Sequence, residues 1–387
     1  MHDTERMAPE PVPFAAPDVT SAEEEAVVRV LRSGWLTTGD EALALENELG
    51  EYLDMPHVVA VSSCTAAIEI AYASLALPVG ARVGVPTWTF ASSALAPHHH
   101  GAVPVLLDVD ADTLNVSAES LHAALADGLD AVVVVHFGGV PVSKAVLDLC
   151  VESGTPVIED AAHSFGARDH RGRSGGRGSV GSCLSFYATK NLTCGEGGAL
   201  VTDRDDVAAF ARSFRQHGMS RDAWARYKPG QWAQYDLIGP GIKANLPDLL
   251  ASIARVQLAR FDELQAKRRT LVHRYRERLG PIEGLRFVPT DLDDDGADHL
   301  VVVALPPSID RAGVQAALSE AAIATSVHFQ PLHRFGWFRS NCSVGPTGTA
   351  VAESLADRVL SLPLSAALTL DQVDRVCDVL HAALLPA

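Results

Sequence analysis

The chain has 387 residues, 47% apolar and 20% charged, which excludes a disordered chain or a coiled coil and suits one large domain or a large domain with a smaller companion. Its 31 basic and 48 acidic residues leave a formal net charge of −17, which argues against a general binder of nucleic acid or of an anionic membrane, so any phosphate site must be local. Six scattered cysteines without a CxxC pair, no basic-then-apolar leader and no apolar run of membrane length make a cytoplasmic protein with reduced thiols the expectation.

Residues 1–20, with Pro9, Pro11, Pro13 and Pro17, read as an N-terminal extension. Ser21 and Glu24 have capping-box spacing and open a helix that should end near Ser33-Gly34. A second helix is expected over Glu41–Leu53. Apolar runs at 57–61, 82–85, 103–107, 131–135 and 156–159 then alternate with helical stretches at 66–77, 91–99, 118–126 and 142–152. Runs apolar on both faces argue for a mostly parallel sheet covered by helices. Two further strands, 182–186 and 199–202, flank the turn-rich loop Asn191–Gly198, a candidate site. One long amphipathic helix spans 246–279, and 285–387 reads strand, helix, strand, helix. The expected division is a large domain over 21–255 and a smaller α/β domain over 256–387 that includes the bridging helix.

Only five of the 31 basic residues are lysines: Lys144, Lys190, Lys228, Lys243 and Lys267. Lys190 stands apart because it ends the run Ser182–Thr189 and precedes the Gly-rich loop. A neutral amine in a dry site can form a Schiff base; the bland alternative is a surface lysine at a strand end. Asp160 follows the run Pro156-Val157-Ile158, at the carboxyl end of a strand, where ligands gather in open parallel sheets. It would pair with a cationic ring nitrogen or cap a helix. Ser62-Ser63-Cys64-Thr65-Ala66-Ala67 offers hydroxyls and free amides at a helix start, either as an anion cradle or as an ordinary cap. Trp88 brings an indole to the same edge, to stack on a heteroaromatic ring or simply to pack. Ser185, five residues before Lys190, adds a hydroxyl. Together these make a phosphate cradle, a stacking ring, a pyridinium partner and a Schiff-base lysine, which is a pyridoxal phosphate constellation. His98-His99-His100 diverge around a helix and share no ion well, so no metal is expected.

The segments Ser33–Gly39, Ser63–Ala67, Glu159–Ala167, Ser185–Thr193 with Gly195–Gly198, His217–Trp224 and Thr325–Phe329 leading to His333 resemble the DegT-type (DegT/DnrJ/StrS) sugar aminotransferases, in order along the chain. The resemblance implies an α/β fold-type I pyridoxal phosphate enzyme with a large, mixed, mostly parallel seven-stranded sheet and a smaller C-terminal α/β domain. It implies a homodimer with shared active sites, acting on a nucleotide-linked keto sugar and L-glutamate. Carried over by position, Lys190 is the Schiff-base lysine and Asp160 the ring-nitrogen partner, both catalytic. Trp88 is the stacking ring, and His163 bonds the phenolic oxygen. Thr65, the Ala66 backbone and Ser185 hold the phosphate. Asn245 reaches the partner subunit's phosphate, although Ile242 and Ala244 beside it stand where the family has aromatic residues. His328, His333 and Arg221 are candidates for the sugar pocket, and Arg221, Arg226 and Arg334 for the carboxylates of glutamate.

Retention of Lys190 favours transamination over the dehydration carried out by family members with histidine there. The stretch Gly34–Gly39 resembles members that aminate C4. The expected acceptor is therefore a 4-keto-6-deoxyhexose on a nucleoside diphosphate, with dTDP-4-keto-6-deoxyglucose the first choice. The alternatives are a 3-keto nucleotide sugar, a cyclitol ketone such as an inosose, or a regulator without enzymatic activity.

Overall fold

The computed structural model describes residues 10–173, 175–220, 236–291 and 295–385. In chain order the first strands are β1 (His57–Val61), β2 (Arg82–Pro86), β3 (Val103–Leu107), β4 (Ala131–Val135), β5 (Val157–Asp160), the two-residue hairpin strands β6 (Arg168–Asp169) and β7 (Gly172–Arg173), β8 (Gly181–Ser185) and β9 (Gly198–Thr202). The C-terminal part adds β10 (Arg286–Val288), β11 (Val301–Ala304), β12 (Ser343–Val344) and β13 (Val359–Leu362). The main sheet has the order β1-β9-β8-β5-β4-β2-β3-β12, and only β9 runs against its neighbours' common direction. Seven of its strands are those read from the sequence. The eighth, β12, comes from the C-terminal third and makes the sheet one strand wider than expected.

The parallel order follows from the crossovers, since each of β1 to β4 is followed by a helix long enough to return the chain to the same sheet end. Side chains alternate between two cores. Val133 packs on one face with Val83, Val85 and Ile158, and Val132 and Val134 on the other with Val105 and Leu107. A second core lies around the antiparallel sheet β10-β11-β13, and Val12, ahead of the first helix, is buried in it.

Two local expectations shift. The first helix, α1 (Ser21–Ser33), is capped by Thr20 and Glu23 rather than Ser21 and Glu24. Thr20 N–H donates to Glu23 Oε2 at 2.8 Å, and Glu23 is held there because its other oxygen accepts from Gln257 and Arg260. The helix expected over 246–279 is two helices, Asp248–Ala259 and Phe261–Leu279. They break at Arg260 (φ −101°, ψ 2°), whose guanidinium reaches Asp18 and Glu23 while Phe261 turns inward against Phe165. Among the described residues no helix is long and apolar enough to cross a membrane.

Candidate active site

The carboxyl ends of β1, β2, β5 and β8 surround a cavity of about 360 Å³, within the range of small-molecule sites. Thr65, Phe90, Asp160, His163, Ser185 and Lys190 are among its lining residues.

Asp160 ends β5 and is 4% exposed. Its Oδ2 accepts from Ser93 Oγ at 2.6 Å, and its Oδ1 accepts from the Ala162 N–H at 3.2 Å, with the Cys64 thiol at 3.7 Å. Glu159, one residue earlier, points the other way and meets His136 and Arg171. Burial alone would raise the Glu159 carboxyl, but its hydrogen bonds to those two residues outweigh burial and hold it at about 2.

Lys190 follows β8 in a turn closed by its N–H on the Tyr187 carbonyl at 2.9 Å. Burial pushes its amine down to about 8, with Arg268 acting in the same direction and Cys64 and Asp160 against it. The His163 ring is held well below the ordinary histidine range, chiefly by burial and then by Lys190 and His328. Its Nδ1 accepts the Gly138 N–H at 3.3 Å, which leaves Nε2 carrying the proton of the neutral ring. Phe329 lies face to face with it, ring centres 5.8 Å apart.

The helix α3 (Cys64–Ser74) starts at the cavity wall, with Ser63, Cys64 and Thr65 in the lining. Ser63 Oγ accepts the Ala66 N–H at 3.1 Å, so the amide expected to hold phosphate serves the helix cap instead. Gly198 makes room for this arrangement. A Cβ there would lie 2.6 Å from the Ser63 carbonyl carbon and 2.7 Å from the Cys64 nitrogen, so only glycine lets β9 pass the helix start. Ser185, the last residue of β8, is 8% exposed and presents its hydroxyl nearby.

Several expected residues stand elsewhere. Trp88 is fully buried in a core with Val109, Leu114 and Phe137, its Nε1 donating to the His328 carbonyl at 3.0 Å. Of the two rings just after β2, the one that lines the cavity is Phe90, 59% exposed. The strand ends at Pro86 and the chain bends, so strand alternation no longer says which ring faces in. His328 lines the cavity with Nδ1 at 3.0 Å from Ser361 Oγ, whereas His333 lies outside the lining, spent on Thr87 and Glu353. Arg334 is paired with Glu353 and Asp357. Asn245 also lies outside the lining, its Nδ2 donating to Thr38 Oγ1 at 2.6 Å. Arg221 and Arg226 fall outside the described residues. His98, His99 and His100 diverge to Trp337, Glu69 and Tyr72.

Phe90, Thr89, Ser93 and Phe329 were not singled out from sequence. Phe90 sat two residues from the chosen tryptophan. Ser93 looks like any serine in a helix's first turn, and nothing local distinguishes Phe329.

The residues present fit pyridoxal phosphate. Asp160 forms no salt bridge among the described residues and suits a protonated ring nitrogen, a neutral-prone lysine stands in the same cavity, and hydroxyls at a helix start suit a phosphate. The model of the DegT/DnrJ/EryC1/StrS aminotransferase family matches residues 17–381. The chain is 30% identical to the aminotransferase TlmJ from Streptoalloteichus hindustanus, with a TM-score of 0.86 over 97% of this chain and 99% of that one. It is 27% identical to the sugar aminotransferase CalS13 from Micromonospora echinospora, TM-score 0.85, covering 96% and 99%. It is 26% identical to the PLP form of Spr1654 from Streptococcus pneumoniae, TM-score 0.88, covering 97% and 100%. Agreement over nearly the full length, together with a cavity furnished for that cofactor, makes the chain a member of the DegT/DnrJ/EryC1/StrS aminotransferase family and a pyridoxal-phosphate-dependent transaminase.

Proposed function

We propose that the protein moves the amino group of L-glutamate to the C4 ketone of a nucleotide-linked 4-keto-6-deoxyhexose, with dTDP-4-keto-6-deoxyglucose the first choice, giving a 4-amino-4,6-dideoxy sugar nucleotide. The observation that carries transamination is the meeting of Lys190 and Asp160 at one cavity, with hydroxyls of Thr65 and Ser185 in its wall. A sugar as acceptor is supported by the sugar aminotransferase CalS13, and amination at C4 by the Gly34–Gly39 stretch.

Bound pyridoxal phosphate supplies the carbon that takes up the amine and a ring that spreads the electrons left when a C–H bond breaks. Lys190 Nζ, which burial lowers to about 8, would take the proton from the α-carbon of the donor and deliver it to the cofactor carbon that carries the nitrogen. For the acceptor the same amine runs the transfer in reverse. Asp160 keeps a negative charge against the ring nitrogen. His163, neutral with Nε2–H free of the Gly138 contact, donates to the phenolic oxygen. Thr65 and Ser185 hold the phosphate with their hydroxyls. Phe90 covers a ring face in the role first expected of Trp88.

The same reading makes the enzyme a cytoplasmic homodimer with shared active sites. Val28, Leu31 and Leu36 are exposed apolar residues on or just after α1, and Asn245 stands outside its own cavity, where on this reading it reaches the partner's phosphate. The test is a substrate panel with L-glutamate as donor and 4-keto or 3-keto thymidine diphosphate sugars or inosose as acceptor. The 4-keto sugar should be aminated, and turnover of the 3-keto sugar or of inosose alone would overturn the assignment. Light scattering should give twice the 41.0 kDa chain mass.

A further inference from the structure

Two buried hydroxyls lead from the cavity to the Asp160 carboxylate. Ser93 Oγ lies 2.6 Å from Asp160 Oδ2, and Thr89 Oγ1 lies 2.7 Å from Ser93 Oγ. Asp160, Ser93 and Thr89 are all buried, and Thr89 also lines the cavity. The direction of the chain follows from donor counting. An ionised carboxylate only accepts, so Ser93 donates to Asp160. Ser93 has one hydroxyl proton, so at the second contact it accepts, and Thr89 donates. The other acceptor near Ser93, the Phe90 carbonyl at 3.2 Å, is farther away and uncharged. On its opposite side Asp160 Oδ1 is met by the Ala162 N–H and the Cys64 thiol. Each carboxylate oxygen is therefore pinned from a different element, Oδ2 from α4 (Ser92–His99) and Oδ1 from the turn after β5, since the one Cys64 thiol proton has the nearer Cys183 carbonyl at 3.1 Å as its acceptor.

We propose that Ser93, oriented by Thr89, is a positioning residue for the reaction: its hydroxyl fixes the Asp160 rotamer and so holds the carboxylate against the cofactor's ring nitrogen, where it favours a protonated ring. This rests on the reading of Asp160 as the ring-nitrogen partner. Without that donor the carboxylate is free to turn away from the ring nitrogen, and the opposite charge that favours a protonated ring is lost from its side. A ring that is less protonated is a poorer acceptor for the electrons released when Lys190 takes the α-proton.

The test uses holoenzyme carrying cofactor labelled with ¹⁵N in the ring, in the wild type and in Asp160→Asn, Ser93→Ala, Ser93→Thr and Thr89→Val. The ring-nitrogen resonance should be that of a protonated pyridine in the wild type and of an unprotonated one in Asp160→Asn. In Ser93→Ala it should move part of the way toward Asp160→Asn. The kcat of that variant should fall about tenfold, the scale of a lost hydrogen bond to a charged group, with KM for L-glutamate changed less than about twofold. Ser93→Thr, which keeps a hydroxyl, should restore both, and Thr89→Val should move the resonance less in the same direction. If Asp160→Asn moves the resonance and Ser93→Ala does not, the positioning role is wrong while the reading of Asp160 stands. If Asp160→Asn leaves the resonance at the wild-type position, that reading fails and the proposal with it. Should Ser93→Ala fail to hold cofactor, an unmoved resonance in Thr89→Val overturns the positioning role.

Discussion

Glu159 and Asp160, consecutive residues of one strand, carry buried carboxylates with opposite surroundings. Glu159 is closed in by His136 and Arg171, while Asp160, among the described residues, meets a serine hydroxyl, a backbone N–H and a thiol, and faces the cavity. The two-residue period of the strand puts one acid on the structural face and the other on the chemical face.

That division predicts different failures. Arg171→Ala takes one of two partners from the buried Glu159 carboxylate, leaving His136, and should cost about 3 kcal/mol in urea unfolding, the low end for breaking a buried pair. The Glu159 carboxyl, near 2 in the folded protein against 4.5 ordinarily, contributes stability that is fully present above pH 4.5 and lost as pH falls through about 2. Arg171→Ala should remove part of this acid resistance, because the hydrogen bond to His136 remains. Asp160→Asn should unfold much as the wild type does but lose amino transfer.

Lys190 should betray its depressed amine without any cofactor. In apoenzyme treated with a small acylating reagent, the rate of modification of Lys190, followed by peptide mass spectrometry, should reach half its maximum near pH 8, whereas an exposed lysine does so near 10.5. Lys190→Arg stays charged at this pH and should lower kcat by about 10² to 10⁴, the range for removing a positioned proton carrier. A half-point near 10.5 would contradict the burial argument.

The two rings after β2 should separate cleanly. Trp88→Ala removes a fully buried indole and should destabilise the fold by about 3–5 kcal/mol in chemical denaturation. Phe90→Ala removes a ring that faces the cavity, so the fold should hold while the cofactor dissociates faster in equilibrium dialysis.

Phosphate binding by side-chain hydroxyls makes a further distinction. Ser185→Ala and Thr65→Val should each weaken retention of pyridoxal phosphate about tenfold, roughly one hydrogen bond to a charged group. Pyridoxal without the phosphate should bind both variants and the wild type alike.

Much of the architecture was legible in the chain because short-range patterning specifies it. The strands at 57–61, 103–107 and 131–135 are apolar on both faces and stand where they were read. Lys190, Asp160, His163, Thr65 and Ser185 share a cavity because they sit at strand ends, at a helix start or in the turns that follow strands, and a parallel sheet brings those ends to one edge. The rest depended on packing between distant segments. Whether Trp88 or Phe90 faced the ligand was decided by a bend after Pro86 and by the core that Trp88 enters. The split at Arg260 depended on Asp18 and Glu23, more than 230 residues away along the chain. His328 and His333 are alike as residues, yet one lines the cavity and the other is spent on Thr87 and Glu353. Residue type and period act over a few neighbours, and so they named the chemistry and the sheet. Which side chain reaches the cavity is a matter of tertiary contacts, which only the folded chain supplies.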